Sequence, residues 1–261
     1  MAQSMPGFCN TPAGEYTSSK TLDPMWGGRD MNESVLPPGV AEVADHLAHI
    51  PAVRAFYLAG GTAYALQRGH RRSKDLDFFT QAPSQTLPRI PSMSTLHQRF
   101  SSVEILERTA DQIHYQLDQV YVTFLAYPFS HHFPFLTWRN LQIADLRDIV
   151  IQKAYTIGRR PRARDYIDLH DALTHPVLNL DEIVIAAKKL YGEQFSPRLF
   201  LQQLTYTQDL EDIEQAVGAL TTSKSFDDIS RDLQNVVRIY VQRVLASSKP
   251  PSLPKPGGPR L

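Results

Sequence analysis

Residues 57–80 read YLAGGTAYALQRGHRRSKDLDFFT. The segment opens on a short apolar run, turns at Gly60-Gly61-Thr62, passes through a basic loop and enters a second apolar run that carries Asp75-Leu76-Asp77. Each piece suits phosphate chemistry. Gly60 and Gly61 let the backbone approach an anion closely. Thr62 is expected to cap the following helix and aim its amides at that anion. Asp75 and Asp77 are two apart on an expected strand, so both side chains leave one face. Two carboxylates on one face, opposite a phosphate cradle, make a place for a divalent metal and a nucleoside triphosphate.

Working outward, the spacing predicts a helix over 40–50, with Val40, Val43, Ala44 and Leu47 on one face, then a strand over 56–59, a short helix over 62–67 and a strand over 76–79. Strands over 103–107, 113–117 and 120–126 follow, separated by turns at 109–111 and 118–119. After Pro134 the period becomes helical, over 144–157, 165–173, 180–191, 197–205 and 229–245. The expected fold class is α+β: a mixed sheet flanked by helices over 35–137 and a helical bundle over 138–246. Residues 1–34 and 247–261 are expected to be tails, the first mobile, the second Pro-rich and disordered, with Met31 an alternative initiation site.

Bulk composition narrows the options. Lysine plus arginine and aspartate plus glutamate number 27 each, so any nucleic-acid partner must be served by a local patch. Cys9 is the single cysteine, which excludes an intrachain disulfide and a cysteine-based zinc site. No apolar run approaches the ~18 residues of a membrane helix, and no secretion signal is legible. The expected location is the cytoplasm.

A second segment, residues 153–169, reads KAYTIGRRPRARDYIDL. Arg159, Arg160, Arg162 and Arg164 crowd a helix connection, and Asp165 and Asp168 share a face of the next helix. Taken alone, this is an ordinary helical hairpin with solvated arginines. The functional alternative has Lys153 balancing triphosphate charge, arginines holding phosphate or RNA backbone, and Asp165 or Asp168 assisting the reaction. The loop Arg68, His70, Arg71, Arg72 and Lys74 reads as a solvated charge run with an added role in guiding polyanions. His70 and the His131-His132 pair lack a partner at metal-ligand spacing.

Together, residues 57–80 and LRDIVIQKAYTIGRRPRARDYIDLH at 146–170 resemble the AbiEii/AbiGii-type nucleotidyltransferases, which include toxin halves of bacterial toxin–antitoxin and phage-defence systems. The resemblance spans residues 40 to 190 and implies a DNA-polymerase-beta-like nucleotidyltransferase fold. It implies Mg2+-dependent transfer, with Mn2+ as substitute, of a nucleoside monophosphate from a triphosphate. The acceptor it implies is RNA, the 3′ end of tRNA in some members, and an antitoxin protein is the implied partner. By this resemblance Asp75 and Asp77 hold metal, and Lys153 and Asp165 join them as catalytic residues. The resemblance also makes Gly61 and Thr62 the phosphate-binding turn, with Lys153 and Arg164 on the nucleotide and Asp168 supporting the site; the residue reading adds Gly60 and Arg159 to the expected nucleotide-binding set and Arg71 and Arg72 to the supporting one. The implied fold carries a third carboxylate on a later strand. The candidate strand VYVTFLA offers Thr123 there, with Asp118 at the preceding turn. Asp118 or Asp165 completes the site, or two acids suffice. A catalytically degenerate binding module and a small-molecule nucleotidyltransferase remain alternatives.

Overall fold

The computed structural model describes residues 31–175 and 177–247, so the expectations for residues 1–30 and 248–261 lie outside the described residues. Helix α1 (Val40–Ala48) buries Val40, Val43, Ala44 and Leu47, the face read from its periodicity. Strand β1 (Phe56–Ala59) runs directly into α2 (Gly60–Arg68), and β2 (Leu76–Thr80) returns antiparallel to β1. After α3 (Met93–His97) come β3 (Val103–Arg108), β4 (Gln112–Leu117) and β5 (Val120–Leu125). Then follow β6 (Leu136–Trp138), β7 (Leu141–Ile143), α4 (Leu146–Thr156), α5 (Ala163–Thr174), α6 (Leu180–Tyr191), α7 (Pro197–Thr205), α8 (Ile213–Gly218) and α9 (Phe226–Ser247).

Among the described residues the strands form one mixed sheet in the order β3-β4-β5-β2-β1-β7-β6. Pairs β2–β5 and β1–β7 are parallel, and the rest are antiparallel. β1 is buried on both faces, whereas β2, β4 and β5 alternate between buried and more open positions. The alternation has a direct cause: Leu76, Phe78, Val122, Phe124, Ile113 and Tyr115 point into the core, and Asp77, Thr123 and His114 leave the opposite face. The outer half of the sheet is thus open on the side that carries the acids. Helix α4 packs on α2, α5 and α6, and α9 packs on α5, α6 and α7.

Two differences from the sequence reading bear on the site. The end of the expected N-terminal tail is ordered: Glu33–Val35 form a single 3-10 turn, Val35 is buried, and the Asn32 amide donates to the Leu66 carbonyl. Glu33 accepts from Trp138 Nε1 and from Arg139, which fastens this segment to the β6–β7 hairpin. That hairpin carries the sheet past residue 137, so the change from strands to helices falls after Ile143. Its strands are three residues long, and its turn places Arg139 and Asn140 at φ 47° and 62° without a glycine to announce it.

Candidate active site

Asp165, Asp168 and Asp171 recur three apart on α5 and share one face of that helix. The helix is buried nearly all round, so each carboxylate needs a protein partner in place of water. The basic loop after α2 supplies most of them. Arg68 Nε donates to Asp171 Oδ2 at 2.7 Å, and His70 Nε2 lies 2.7 Å from Asp168 Oδ1. Arg71 grips both Asp168 oxygens, through Nε at 2.6 Å and Nη2 at 2.9 Å. The loop read as solvated is therefore turned inward at three positions, and only Arg72 and Lys74 remain exposed. Arg72 donates to the Gly218 carbonyl at 2.6 Å.

Lys153, on α4, sits between Asp165 at 2.6 Å and Asp168 at 2.7 Å. Arg160 donates to both Asp165 oxygens, at 2.9 and 3.2 Å. Burial pushes the Asp168 carboxyl up, but Arg71, Lys153 and His70 outweigh it and hold the group well below the usual carboxylate range. For Asp165 burial again opposes, and Lys153 with Arg160 brings the carboxyl below its ordinary value.

The acids of β2 have the opposite character. Asp75 Oδ2 accepts from Arg164 Nη1 at 3.0 Å, while its Oδ1 is buried with no hydrogen-bond partner among the described residues. Asp77 makes no hydrogen bond or ion pair with the described residues. Burial raises the Asp77 carboxyl above its ordinary value and the Asp75 charge raises it further, with Arg160, Arg164 and Lys153 offsetting part of the shift. A buried orphan oxygen beside an unpaired carboxylate, all-oxygen in donor type, fits a hard divalent cation. Among the described residues no group of three or more His, Cys, Asp or Glu is disposed to hold a metal ion. Asp118 does not supply the third acid: it sits in the β4–β5 turn with φ 45° and accepts from the Ser102 amide. Asp165 is committed to Lys153 and Arg160.

The glycine turn lies against these acids. Helix α2 begins at Gly60, and its N-cap, Ala59, provides no side-chain cap. Thr62 is therefore not the cap expected from the sequence. It is the third helical residue, and its hydroxyl reaches Ser73 Oγ at 2.8 Å and the Asp75 carbonyl. That contact fixes the backbone carrying Asp75 against the helix start, whose first amides have no intrahelical acceptor. Gly60 has φ +67°, and a Cβ there would collide with Asp77 Oδ2; a Cβ on Gly61 would collide with the Arg71 guanidinium. Gly60→Ala is expected to cost about 1–2 kcal/mol for the left-handed backbone alone and to displace the Asp77 carboxylate. Thermal unfolding at the wild-type midpoint would contradict this.

Gly61, Thr62, Asp75, Asp77, Lys153 and Arg164 line one open cleft of about 710 Å3, bordered also by Arg71 and Arg72. Asp165 and Asp168 stand behind it and hold its cations. Arg159 does not join them: its guanidinium lies 4.0 Å from the Tyr155 ring centroid and donates to the Tyr155 and Gln194 carbonyls. Arg160 and Arg162 face the cleft in its place. The connection turns tightly at Pro161, where the Arg162 amide donates to the Arg160 carbonyl at 3.0 Å, before α5 begins.

Residues 43–130, which include the glycine turn and the β2 acids, match the family model described as "Nucleotidyl transferase AbiEii toxin, Type IV TA system". The protein is a nucleotidyltransferase. A relative from Aquifex aeolicus (strain VF5), the uncharacterized protein aq_aa25, is 30% identical over 185 residues, covering 66% of this chain and 86% of that one. The chain belongs to the AbiEii family. Two crystal structures from Helicobacter pylori are also similar. One, of a candidate nucleotidyltransferase, has 16% identity and a TM-score of 0.49 over 80% of this chain and 94% of that one. The other, JHP933, has 17% identity and a TM-score of 0.48 over 79% and 90%.

Proposed function

We propose that this nucleotidyltransferase transfers a nucleoside monophosphate from a nucleoside triphosphate to RNA, with the 3′ end of tRNA as acceptor, and that it is the toxin of a toxin–antitoxin pair whose antitoxin is its protein partner. The observation that carries the reading is that the orphaned Asp75 Oδ1 and Asp77, which has no partner among the described residues, share a single cation-lined cleft with the start of α2, where helix amides lack intrahelical acceptors. Asp75 and Asp77 are the residues that hold Mg2+, which supplies Lewis-acid neutralisation of the triphosphate.

The chain's own groups then have separable tasks. Amides of Gly60, Gly61 and Thr62 receive phosphate oxygens at the helix start. Lys153 presents its charge to the cleft from a position fixed by Asp165 and Asp168, so those two acids orient a cation and do not themselves meet the substrate. Arg164, half-exposed on Asp75, and Arg160, on Asp165, are placed to exchange carboxylate for phosphate as the triphosphate enters. Arg72, Lys74 and Arg162 form an exposed basic rim on which an RNA backbone fits. Overall neutrality makes that local rim the feature that recruits a polyanion.

Purified protein incubated with Mg2+, total tRNA and each of four α-labelled nucleoside triphosphates tests this directly. Label on RNA from one or more nucleotides, absent with Asp75→Ala, is the expected result. Label on an aminoglycoside but not on tRNA favours the small-molecule reading. No label on any acceptor favours a binding module.

A further inference from the structure

The sheet register sets four side chains in one row across the open face. Asp77 on β2 pairs with Thr123 on β5, Thr123 pairs with His114 on β4, and His114 pairs with Glu107 on β3. A register shift in β3 between Ile105 and Glu107 puts Glu104 and Glu107, three apart, opposite Gln116 and His114, both partners on the open face. All four members of the row line the cleft. Thr123 stands beside Asp77 where a third acid is wanted, and its hydroxyl has neither the charge nor the basicity of a carboxylate. It is, however, hydrogen-bonded to His114 Nδ1 at 2.9 Å. That bond occupies one ring nitrogen and leaves Nε2 open, 3.8 Å from Glu107 Oε2. The imidazole is one-third exposed, so a substrate hydroxyl can reach it.

We infer that His114, held by Thr123 and backed by Glu107, accepts the proton of the acceptor hydroxyl; the inference rests on the nucleotidyl-transfer reading above. In the step, the acceptor O–H bond breaks and its proton passes to His114 Nε2 while the oxygen forms a bond to the α-phosphorus. The bond from the α-phosphorus to the bridging oxygen breaks, and its electron pair leaves with pyrophosphate. Nδ1 carries its own proton throughout and donates it to Thr123 Oγ1. Glu107 neutralises the imidazolium that forms. His114 is the only histidine among the described residues that line the cleft. His70 and His170 are engaged elsewhere, by Asp168 and by Asp232 with Lys224.

The test compares wild type, His114→Ala and His114→Gln with total tRNA and the α-labelled nucleotide that wild type uses. Glutamine keeps a polar partner for Thr123 but cannot take the proton, so it guards against a packing defect in the alanine variant. Both variants are expected to lose about 10²-fold or more in kcat, to keep the wild-type KM for nucleotide, and added imidazole should restore part of the His114→Ala rate. Wild-type kcat in either variant overturns the inference. So does a loss in His114→Ala that imidazole leaves unchanged, because that marks a merely structural histidine. A wild type that labels no acceptor removes the transfer reading itself, and this inference with it; an active wild type with equally active variants removes the inference alone.

Discussion

Asp75→Asn and Asp77→Asn are each expected to reduce transfer by roughly 10³-fold or more, the equivalent of several kcal/mol of lost charge stabilisation, with the fold intact. Stability separates this outcome from simple damage. Asp77 has no partner among the described residues, and burial together with the Asp75 charge disfavours its ionised form. Without a divalent cation the carboxylate is therefore a liability, and an uncharged isostere relieves it. Asp77→Asn should melt above the wild type in EDTA, by about 2–4 °C for each kcal/mol relieved. Mg2+ should raise the wild-type midpoint and leave that of Asp77→Asn nearly unmoved. A cation present at tenfold its Kd stabilises by roughly 1.4 kcal/mol, which calorimetry resolves. Asp75→Asn leaves Arg164 without an ionic partner, but that pair is partly exposed and worth at most about 1 kcal/mol. An undiminished Mg2+ shift in both variants, or wild-type turnover in either, would sink the assignment of these acids.

The elements near the motifs were legible because local chemistry alone determines them. β1 spans Phe56–Ala59, the bounds that its apolar run and the glycines ending it dictate, and α6 and α7 follow caps and periodicity that the sequence displays. The glycine turn and the two acids likewise announce themselves within 24 residues. What depends on pairing distant segments was not legible. The role of α5 as countercharge to the loop after α2 joins residues about a hundred positions apart, so Arg71 reads locally as a solvated charge although it is buried. The part Asp171 plays is hidden for the same reason, and the mark it leaves in the sequence is its three-residue spacing from Asp168 and Asp165. The choice of Arg160 over Arg159 turns on contacts the local pattern does not display: Arg159 is drawn to Tyr155 and the Gln194 carbonyl, Arg160 to Asp165. His114 and Glu107 reach the cleft through strand register and a bulge, and neither leaves a mark in the sequence. A threonine after two glycines matches the capping pattern, but the helix starts at Gly60, which leaves Thr62 inside its first turn with its hydroxyl on Ser73 and Asp75.

Asp168→Ala is expected to destabilise the protein by about 3–5 kcal/mol, the usual consequence of removing one partner from a buried ion pair. Asp168 is the common partner of Arg71, His70 and Lys153, and Arg71 and Lys153 are themselves buried. Removing it leaves the buried Arg71 without a carboxylate and takes from Lys153 one of its two, with no water to replace them. A domain of this kind commonly has about 5–15 kcal/mol in total, so the variant should be near its folding limit. Asp232→Ala provides the contrast: it also breaks contacts to a histidine and a lysine, His170 and Lys224, but the Asp232 side chain is 39% exposed and the loss should stay within about 1 kcal/mol. The sign of the pH dependence follows from the same contacts. Asp165, Asp168 and Asp171 all have folded values below their unfolded ones, since their cations outweigh burial. Their contribution is complete above the ordinary carboxylate range and is lost as pH falls through the depressed folded values. Wild type should therefore lose stability steeply on acidification in that window, and Asp168→Ala, already deprived of the most depressed group, should show a shallower slope. Denaturant unfolding at neutral pH and at successive acidic pH values measures both quantities. A variant within 1 kcal/mol of wild type at neutral pH, or one with the full acid slope, would mean that Asp168 does not hold the cations of the cleft.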